Sequence, residues 1–478
     1  MTKFDLLNPS LLKLGMVIPL LPVFTKNLDG AEKLSSKPNI LLIYADDWGW
    51  GDLRCHGHTE IKTPNIDRLA SEGIDFHRFT VGNPVSSPSR TAILTGNYPA
   101  RHSIHSAIST HEKNAMSGVA DWLDPRVTLL PRLLKEAGYI TGHFGKWHLS
   151  LHGKNITPET PLPSAYGFDE AAVWTGPGRT VFENSSYADK AGQGNNPVAA
   201  SYLTAAAAEK AIRFISEARG HPFFVNLWIH ETHTIISATE EDKKAYPDTP
   251  EPQRTYYSAI TRADRIIGVV LDTLKKLRLE ENTIVIFSSD NGPEDPHLDP
   301  NHVRYYSVGS TNGLRGRKRS LYLGGVNTPF IVRWPGQIPA GKVDTKSIIS
   351  NVDILPTLLA AADIQLPEGY IPDGVNVLNA FKGKKFVRNK PLFWEWRGPY
   401  NKEANWPELS MLDGKYVLLM AQKSGRIELY DIFKDRSQQN NLVEMYPKIV
   451  RVMKTKLLAW KATLSAATET VADDNASN

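Results

Sequence analysis

Two acidic pairs stand at the ends of apolar runs far apart in the chain: Asp46-Asp47 after Asn39–Ala45 (NILLIYA), and Asp290-Asn291 after Thr283–Ser289 (TIVIFSS), where Gly292 follows. If the two runs are neighbouring parallel strands, four oxygen-bearing side chains meet at one sheet edge. Such an all-oxygen set suits Ca²⁺ or Mg²⁺ rather than zinc or copper. Taken singly, each pair is ordinary turn chemistry, because Asp, Asn and Gly all favour turns. A second group is Ser86-Ser87-Pro88-Ser89-Arg90, which precedes the helix-compatible Thr91–Leu94 and then Thr95-Gly96. By itself this is a Ser/Pro turn capping a helix. A third is Lys146 and His148 in FGKWHLS, which alternate after a strand-like run and would face one way if the chain stays extended.

The elements that must position these groups follow from hydrophobic patterning. Besides NILLIYA, strand-like runs occupy Tyr139–Phe144, Pro222–Trp228, Thr283–Ser288 and Thr328–Trp334. Helical stretches lie between them, notably Thr63–Glu72, Thr128–Ala137, Ala199–Ala218 and Gln253–Lys276. The alternation predicts an α/β fold with a large, mostly parallel sheet sandwiched by helices, whose ligands gather beyond the carboxyl ends of the strands. After a loop-like stretch rich in Pro and Gly, Lys415–Met420 and Ile427–Ile432 read as strands and about Pro447–Leu464 as a closing helix. The expected organisation is a leader over 1–36, a catalytic α/β domain over 37–365, a C-terminal subdomain of antiparallel sheet plus helix over 366–465, and a disordered polar tail over 466–478.

Asn83–Arg101 (NPVSSPSRTAILTGNYPAR) resembles the maturation signature of type I sulfatases of the alkaline phosphatase superfamily. The resemblance runs from Pro38 to about Leu464. NILLIYADDWGWGD is similar to the family's opening strand and metal loop, and SSDNGPE to its second metal loop. The implied metal ligands are Asp46, Asp47, Asp290, Asn291 and residue 86. FGKWHLS resembles the G-K-W-H-L segment and assigns Lys146 and His148. FFVNLWIHETHT assigns His233 and its neighbour His230, and LRGRKRSLYLGGVNTPFIVRWPG assigns Lys318. The resemblance further implies that residue 86 is oxidised to formylglycine, with Arg90 holding the modified residue or the metal-side carboxylates. Lys146 and Lys318 would clamp sulfate oxygens. His233 or Lys318 would protonate the leaving oxygen, and His148 would take a proton from residue 86. Three departures stand out. Ser86 occupies the position commonly held by Cys, which calls for a serine-type maturation enzyme. Leu323 and Asn327 replace a common Glu and Arg, and no proline flanks His233.

The expected substrate is a sulfated carbohydrate, bound with the help of Trp48, Trp50, His102, Trp174, Arg179, His230, His302 and Arg304. Trp faces stack on sugars, and Arg takes a second anion in bidentate fashion. Two other functions remain open on the residues alone: a two-metal phosphatase or phosphodiesterase using unmodified Ser86, and an inactive protein that binds sulfated glycans.

Composition narrows the field. The 478 residues carry 55 Lys plus Arg against 51 Asp plus Glu, a net charge of +4 that implies no nucleic-acid partner. The basic run Arg315–Arg319 falls within the sulfatase-like block, where anion recognition is the stronger reading. Trp147 stands where a phosphate-binding P-loop needs Ser or Thr, and Ser86 lacks the G-x-S-x-G elbow of the α/β-hydrolases. One cysteine, Cys55, excludes an intrachain disulfide. The apolar stretch Leu14–Phe24 has the length of a signal-peptide core, too short to span a bilayer, and points to a periplasmic or secreted protein.

Overall fold

The computed structural model describes residues 37–191, 199–218, 220–295, 307–397 and 406–474. Its strands are β1 (Asn39–Ala45), β2 (Ile74–Phe76), β3 (Phe79–Thr80), β4 (Ile140–Lys146), β5 (Glu170–Trp174), β6 (Phe223–Trp228), β7 (Thr283–Ser289), β8 (Phe330–Arg333), β9 (Lys342–Asp344), β10 (Ile349–Ser350), β11 (Leu392–Glu395), β12 (Leu409–Asp413), β13 (Tyr416–Met420) and β14 (Ile427–Asp431). Eight of them form the main sheet in the order β5-β4-β6-β1-β7-β8-β2-β9. Pairing is parallel except where β8 runs against β7 and β2. The strands expected from the sequence are therefore present, in a mostly parallel sheet.

β1 lies at the centre and shows why its run is continuously apolar. Ile40, Leu42 and Tyr44 enter one core while Leu41, Ile43 and Ala45 enter another on the opposite face. The second core is closed by the helices Leu203–Glu217 and Gln253–Lys276, through residues such as Ala207, Ile215, Ile260 and Ile267. The first is closed by the helices Ser86–Thr95, Leu130–Glu136 and Ile354–Ala361. The stretch expected as one helix from Ala199 begins instead as a 3₁₀ turn, Ala199–Tyr202, before the α-helix takes over. No described helix is long and apolar enough to cross a membrane.

The antiparallel sheet β11-β12-β13-β14 packs beneath the long helix Pro447–Asp474, which buries Met453, Leu457, Trp460 and Leu464. Trp460 stacks on Phe393, ring centroids 5.1 Å apart. This sheet is tied to the segment leading into Ser86. Trp394 Nε1 donates to the Val81 carbonyl at 2.7 Å, and Asn83 Nδ2 donates to the Glu395 carbonyl at 2.8 Å. The closing helix is assigned over Pro447–Asp474.

Gly145, opposite Trp228 on the neighbouring strand β6, has φ +115°; a Cβ there would lie 1.9 Å from the Trp228 carbonyl oxygen. Gly145→Ala is expected to destabilise the fold by about 1–3 kcal/mol, read as a lower denaturation midpoint in urea. An unchanged midpoint would show that β4 and β6 can separate at no cost.

Candidate active site

Because β1 and β7 are parallel neighbours with Ala45 opposite Ser289, the residues after each strand emerge side by side. Asp46, Asp47, Asp290 and Asn291 are all buried there. Ser86 is the first residue of the buried helix Ser86–Thr95, whose N-terminus carries a partial positive charge toward this acidic edge. Its hydroxyl donates to Asp46 Oδ1 at 3.3 Å. Arg90, one helical turn later, lies on the same face. Its Nη2 donates to Asp290 Oδ2 at 2.7 Å and lies 3.8 Å from Asp46 Oδ1, while the guanidinium covers the Trp228 ring at 4.8 Å.

Two further cations complete the cluster. Lys146, at the end of β4, donates to Asp46 Oδ2 at 2.5 Å and to Ser86 Oγ at 3.1 Å. Lys318 donates to Asp47 Oδ2 at 2.7 Å and lies 3.4 Å from Glu294. Glu294 in turn pairs with Arg319. Burial would raise the Asp46 carboxyl, but its cationic neighbours, Lys146 foremost with Arg90 and Lys318, outweigh it and hold the group well below the usual carboxylate range. Asp47 is pushed up to about 7, first by burial and then by the carboxylates of Asp46, Glu294 and Asp290, against the opposing charge of Lys318. Burial and Asp46 likewise raise Asp290.

Three carboxylates with oxygens within 4.8 Å of one another repel unless a cation stands among them. The donor set fits one. Asn291 Nδ2 donates to Asp47 Oδ1 at 2.6 Å, leaving Asn291 Oδ1 buried without a hydrogen-bond partner. A buried amide oxygen without a donor, beside carboxylates, is accounted for by a hard cation.

The remaining sequence-derived residues divide into those the fold gathers and those it does not. A carboxylate oxygen of Asp46 and ring nitrogens of His230 and His233 lie within 4.8 Å of one another. Trp174, exposed at the end of β5, sits edge-on to His230 with centroids 6.2 Å apart. His148 shares the walls of a cavity of about 260 Å³ with Ser86, His233 and Lys318. Its route there differs from the one expected: β4 ends at Lys146, and His148 turns at φ +52° instead of continuing extended.

His102 is not brought to the cluster. It closes a 3₁₀ turn beyond the opposite end of the ten-residue helix from Ser86, next to Arg101, which pairs with Asp373. Arg179 is also not brought to the cluster, because it pairs with Glu170 and Glu183 beside a separate cavity. Trp48 is fully buried edge-on to Phe287, and Trp50 is buried between His56 and Arg436, so neither face is open to a sugar. His302 and Arg304 lie outside the described residues, as does the leader 1–36. The patterning did not single out His152, Glu294 or Trp396, although the first and last line the cavity. The only sequence signal for Glu294 was its place in SSDNGPE, and His152 and Trp396 had none.

The family profile described as "Sulfatase" matches residues 38–364, and one described as "N-sulphoglucosamine sulphohydrolase, C-terminal" matches residues 316–463. The chain is 34% identical to the N-acetylgalactosamine-6-sulfatase of Canis lupus familiaris over 391 residues, 77% of this chain and 70% of that protein. It is 29% identical to the N-acetylgalactosamine-6-O-sulfatase of Bacteroides thetaiotaomicron over 499 residues, 87% of this chain and 92% of the relative. The crystal structure of Ps i-CgsB in complex with k-i-k-neocarrahexaose superposes with a TM-score of 0.74 at 28% identity, covering 89% of this chain and 92% of that one. With the profile spanning most of the α/β sheet and the acidic strand ends, Ser86 and the flanking cations converging as they do, the chain belongs to the sulfatase family: it is a type I sulfuric ester hydrolase of the alkaline phosphatase superfamily.

Proposed function

We propose that the protein removes sulfate from a sulfated carbohydrate, using formylglycine made from Ser86 by a serine-type maturation enzyme and one Ca²⁺, with Mg²⁺ as the alternative ion. The observation that carries this reading is the position of Ser86. Its Oγ lies between Asp46 Oδ1 and Lys146 Nζ, at 3.3 and 3.1 Å, on a buried helix N-terminus beside the three carboxylates. The relatives support the carbohydrate half: two are named for the 6-sulfate of N-acetylgalactosamine, and a similar solved structure holds an oligosaccharide. The apolar stretch Leu14–Phe24 supports export.

Asp46, Asp47, Asp290, Asn291 and residue 86 would hold the cation, whose charge would acidify the attacking oxygen and draw in the sulfate. Formylglycine, hydrated, would supply that oxygen and a second hydroxyl through which sulfate is later expelled. An unmodified serine would stop at a stable sulfate ester. A single cation suits the site better than two, since Lys146 already occupies Asp46 Oδ2 at 2.5 Å. Arg90, Lys146 and Lys318 balance the three carboxylates, so a divalent ion leaves the site net positive for an anionic ester.

The proton carriers are set by their hydrogen bonds. His233 Nδ1–H donates to the Thr234 carbonyl at 3.0 Å, so Nε2 is the atom that can carry a proton to the leaving alcohol. Burial, then Lys146, keeps this imidazole neutral until an anion offsets the lysine charge. His148 Nε2–H donates to the Ile108 carbonyl at 3.0 Å, leaving the Nδ1 lone pair free to accept a proton from residue 86. Lys318 is held charged by Asp47 and Glu294 against the effect of burial, and serves better as an electrostatic clamp than as an acid.

Calcium uptake should be coupled to proton release. Asp47 binds metal as its carboxylate but is raised to about 7 in the metal-free site, so binding expels a proton below that pH and none well above it. Calorimetric titration of stripped protein, in buffers of different ionisation enthalpy, should show proton release and weaker affinity at about pH 6 but not at about pH 8.5. Equal affinity at both would show that the carboxylates are already ionised.

Residue 86 should carry the aldehyde in active protein from its native host. The tryptic peptide containing it should lack the two hydrogens that oxidation removes from serine, and Ser86→Ala should release no sulfate. Full activity with an unmodified peptide would rule out the mechanism.

A further inference from the structure

Besides Ser86, His233 and Lys318, the 260 Å³ cavity is walled by His148, His152 and Trp396. Trp396 comes from the C-terminal subdomain, immediately after β11. It is 5% exposed, and its backbone N–H is bonded to the Glu408 carbonyl, so the ring is fixed by the small sheet. Its indole Nε1 is buried and has no hydrogen-bond partner. Trp394, two residues earlier and on the same face of the strand, differs in this respect: its Nε1 is spent on the Val81 carbonyl. Across the cavity His152 Nδ1 is likewise buried without a partner, in a ring 5.4 Å from His148. Burial, then Lys146, pushes the His152 imidazole below its usual value, with a backbone hydrogen bond at Ser150 opposing.

Buried polar nitrogens are nearly always paired, and exceptions collect where a ligand completes them. Here one atom is an obligate donor, the indole N–H, and the other an imidazole nitrogen. Both residues line the cavity that contains the attacking residue. A ring bearing several hydroxyls can satisfy them together, since each hydroxyl both donates and accepts. An aromatic alcohol would fill the space and leave both nitrogens unpaired. The volume, below that of drug-sized pockets, suits one ring.

We infer that Trp396 and His152 form the subsite for the alcohol half of the substrate, each hydrogen-bonding a hydroxyl of the sugar ring that bears the sulfate. This rests on the carbohydrate reading above and adds to it the residues that choose the sugar. A site built to bond a hydroxyl discriminates strongly against an analogue lacking it, because its buried partner is then left unpaired. The small C-terminal sheet thereby takes part in specificity as well as bracing the segment before Ser86.

The test compares kcat/KM for 4-nitrophenyl sulfate with that for the sulfated saccharide turned over fastest in a panel of amino-sugar and galactan oligosaccharides. Trp396→Phe keeps the packing and deletes the N–H, and His152→Ala removes the second partner. Each is expected to lower the saccharide-to-aryl ratio about tenfold or more, the loss of one buried hydrogen bond, mainly through KM. If Trp396→Phe does not fold, judged by its thermal unfolding, His152→Ala decides. Loss of both activities in equal proportion, or no change in the ratio, would overturn the assignment while leaving the carbohydrate reading intact. A wild-type enzyme that cleaves the aryl sulfate but no saccharide would overturn both.

Discussion

Three carboxylates, Asp46, Asp47 and Asp290, are buried within 4.8 Å of one another where two parallel strands end. Isolated buried charges of one sign are not tolerated in a protein interior. Everything around them supplies compensating charge or dipole. Arg90 lies against Asp290, Lys146 against Asp46, Lys318 against Asp47, and the Ser86 helix points its positive end at the same edge. The unevenness of this compensation is informative. Asp46 has several cationic neighbours and stays low; Asp47 has essentially Lys318 and is raised to about 7. The shortfall lies beside the unpartnered Asn291 oxygen, where a divalent ion suits the chemistry.

The same constraint orders the rest of the molecule. Parallel β1 and β7 must be adjacent and in register for the two acidic loops to meet, and both are sealed on two faces by helices. The helix bearing Ser86 must be held with its N-terminus at the sheet edge. That restraint comes partly from far along the chain: β11 receives Asn83 Nδ2 on the Glu395 carbonyl and returns the Trp394 indole N–H to Val81. Gln438, later still, accepts from the Leu323 backbone, bracing the loop where a common glutamate of the family is missing. The C-terminal subdomain is thus a structural partner of the catalytic cluster.

Much of this was legible in the residues. NILLIYA and TIVIFSS show no amphipathic alternation because both faces of their strands are buried, and that is what marks central strands of a parallel sheet. Their acidic ends, the Ser86–Arg90 run and the Lys146–His148 pair form motifs short enough to survive in one sequence. The substrate-facing residues were harder. Trp48, Trp50, His102 and Arg179 have side chains of the right type for sugar binding. Trp48 and Trp50 are packed in cores and Arg179 is tied up in ion pairs, while His102 is carried away by the length of a helix.

What the sequence determined by itself is therefore the chemistry of the local groups: carboxylate and amide oxygens at strand ends, Ser86 at a helix start, and lysines in fixed motifs. These depend on periodicity and on contacts between near neighbours in the chain, which leave a pattern. Tertiary structure alone decided which distant side chains enter the cavity. Trp396 lies more than 300 residues beyond Ser86, and no local pattern separates it from Trp394 two positions earlier. The difference between them is that one indole meets the Val81 carbonyl and the other meets none, a matter of how two sheets are docked. Hydrogen-bond satisfaction is a property of the packed interior, and it exists only once the chain has folded.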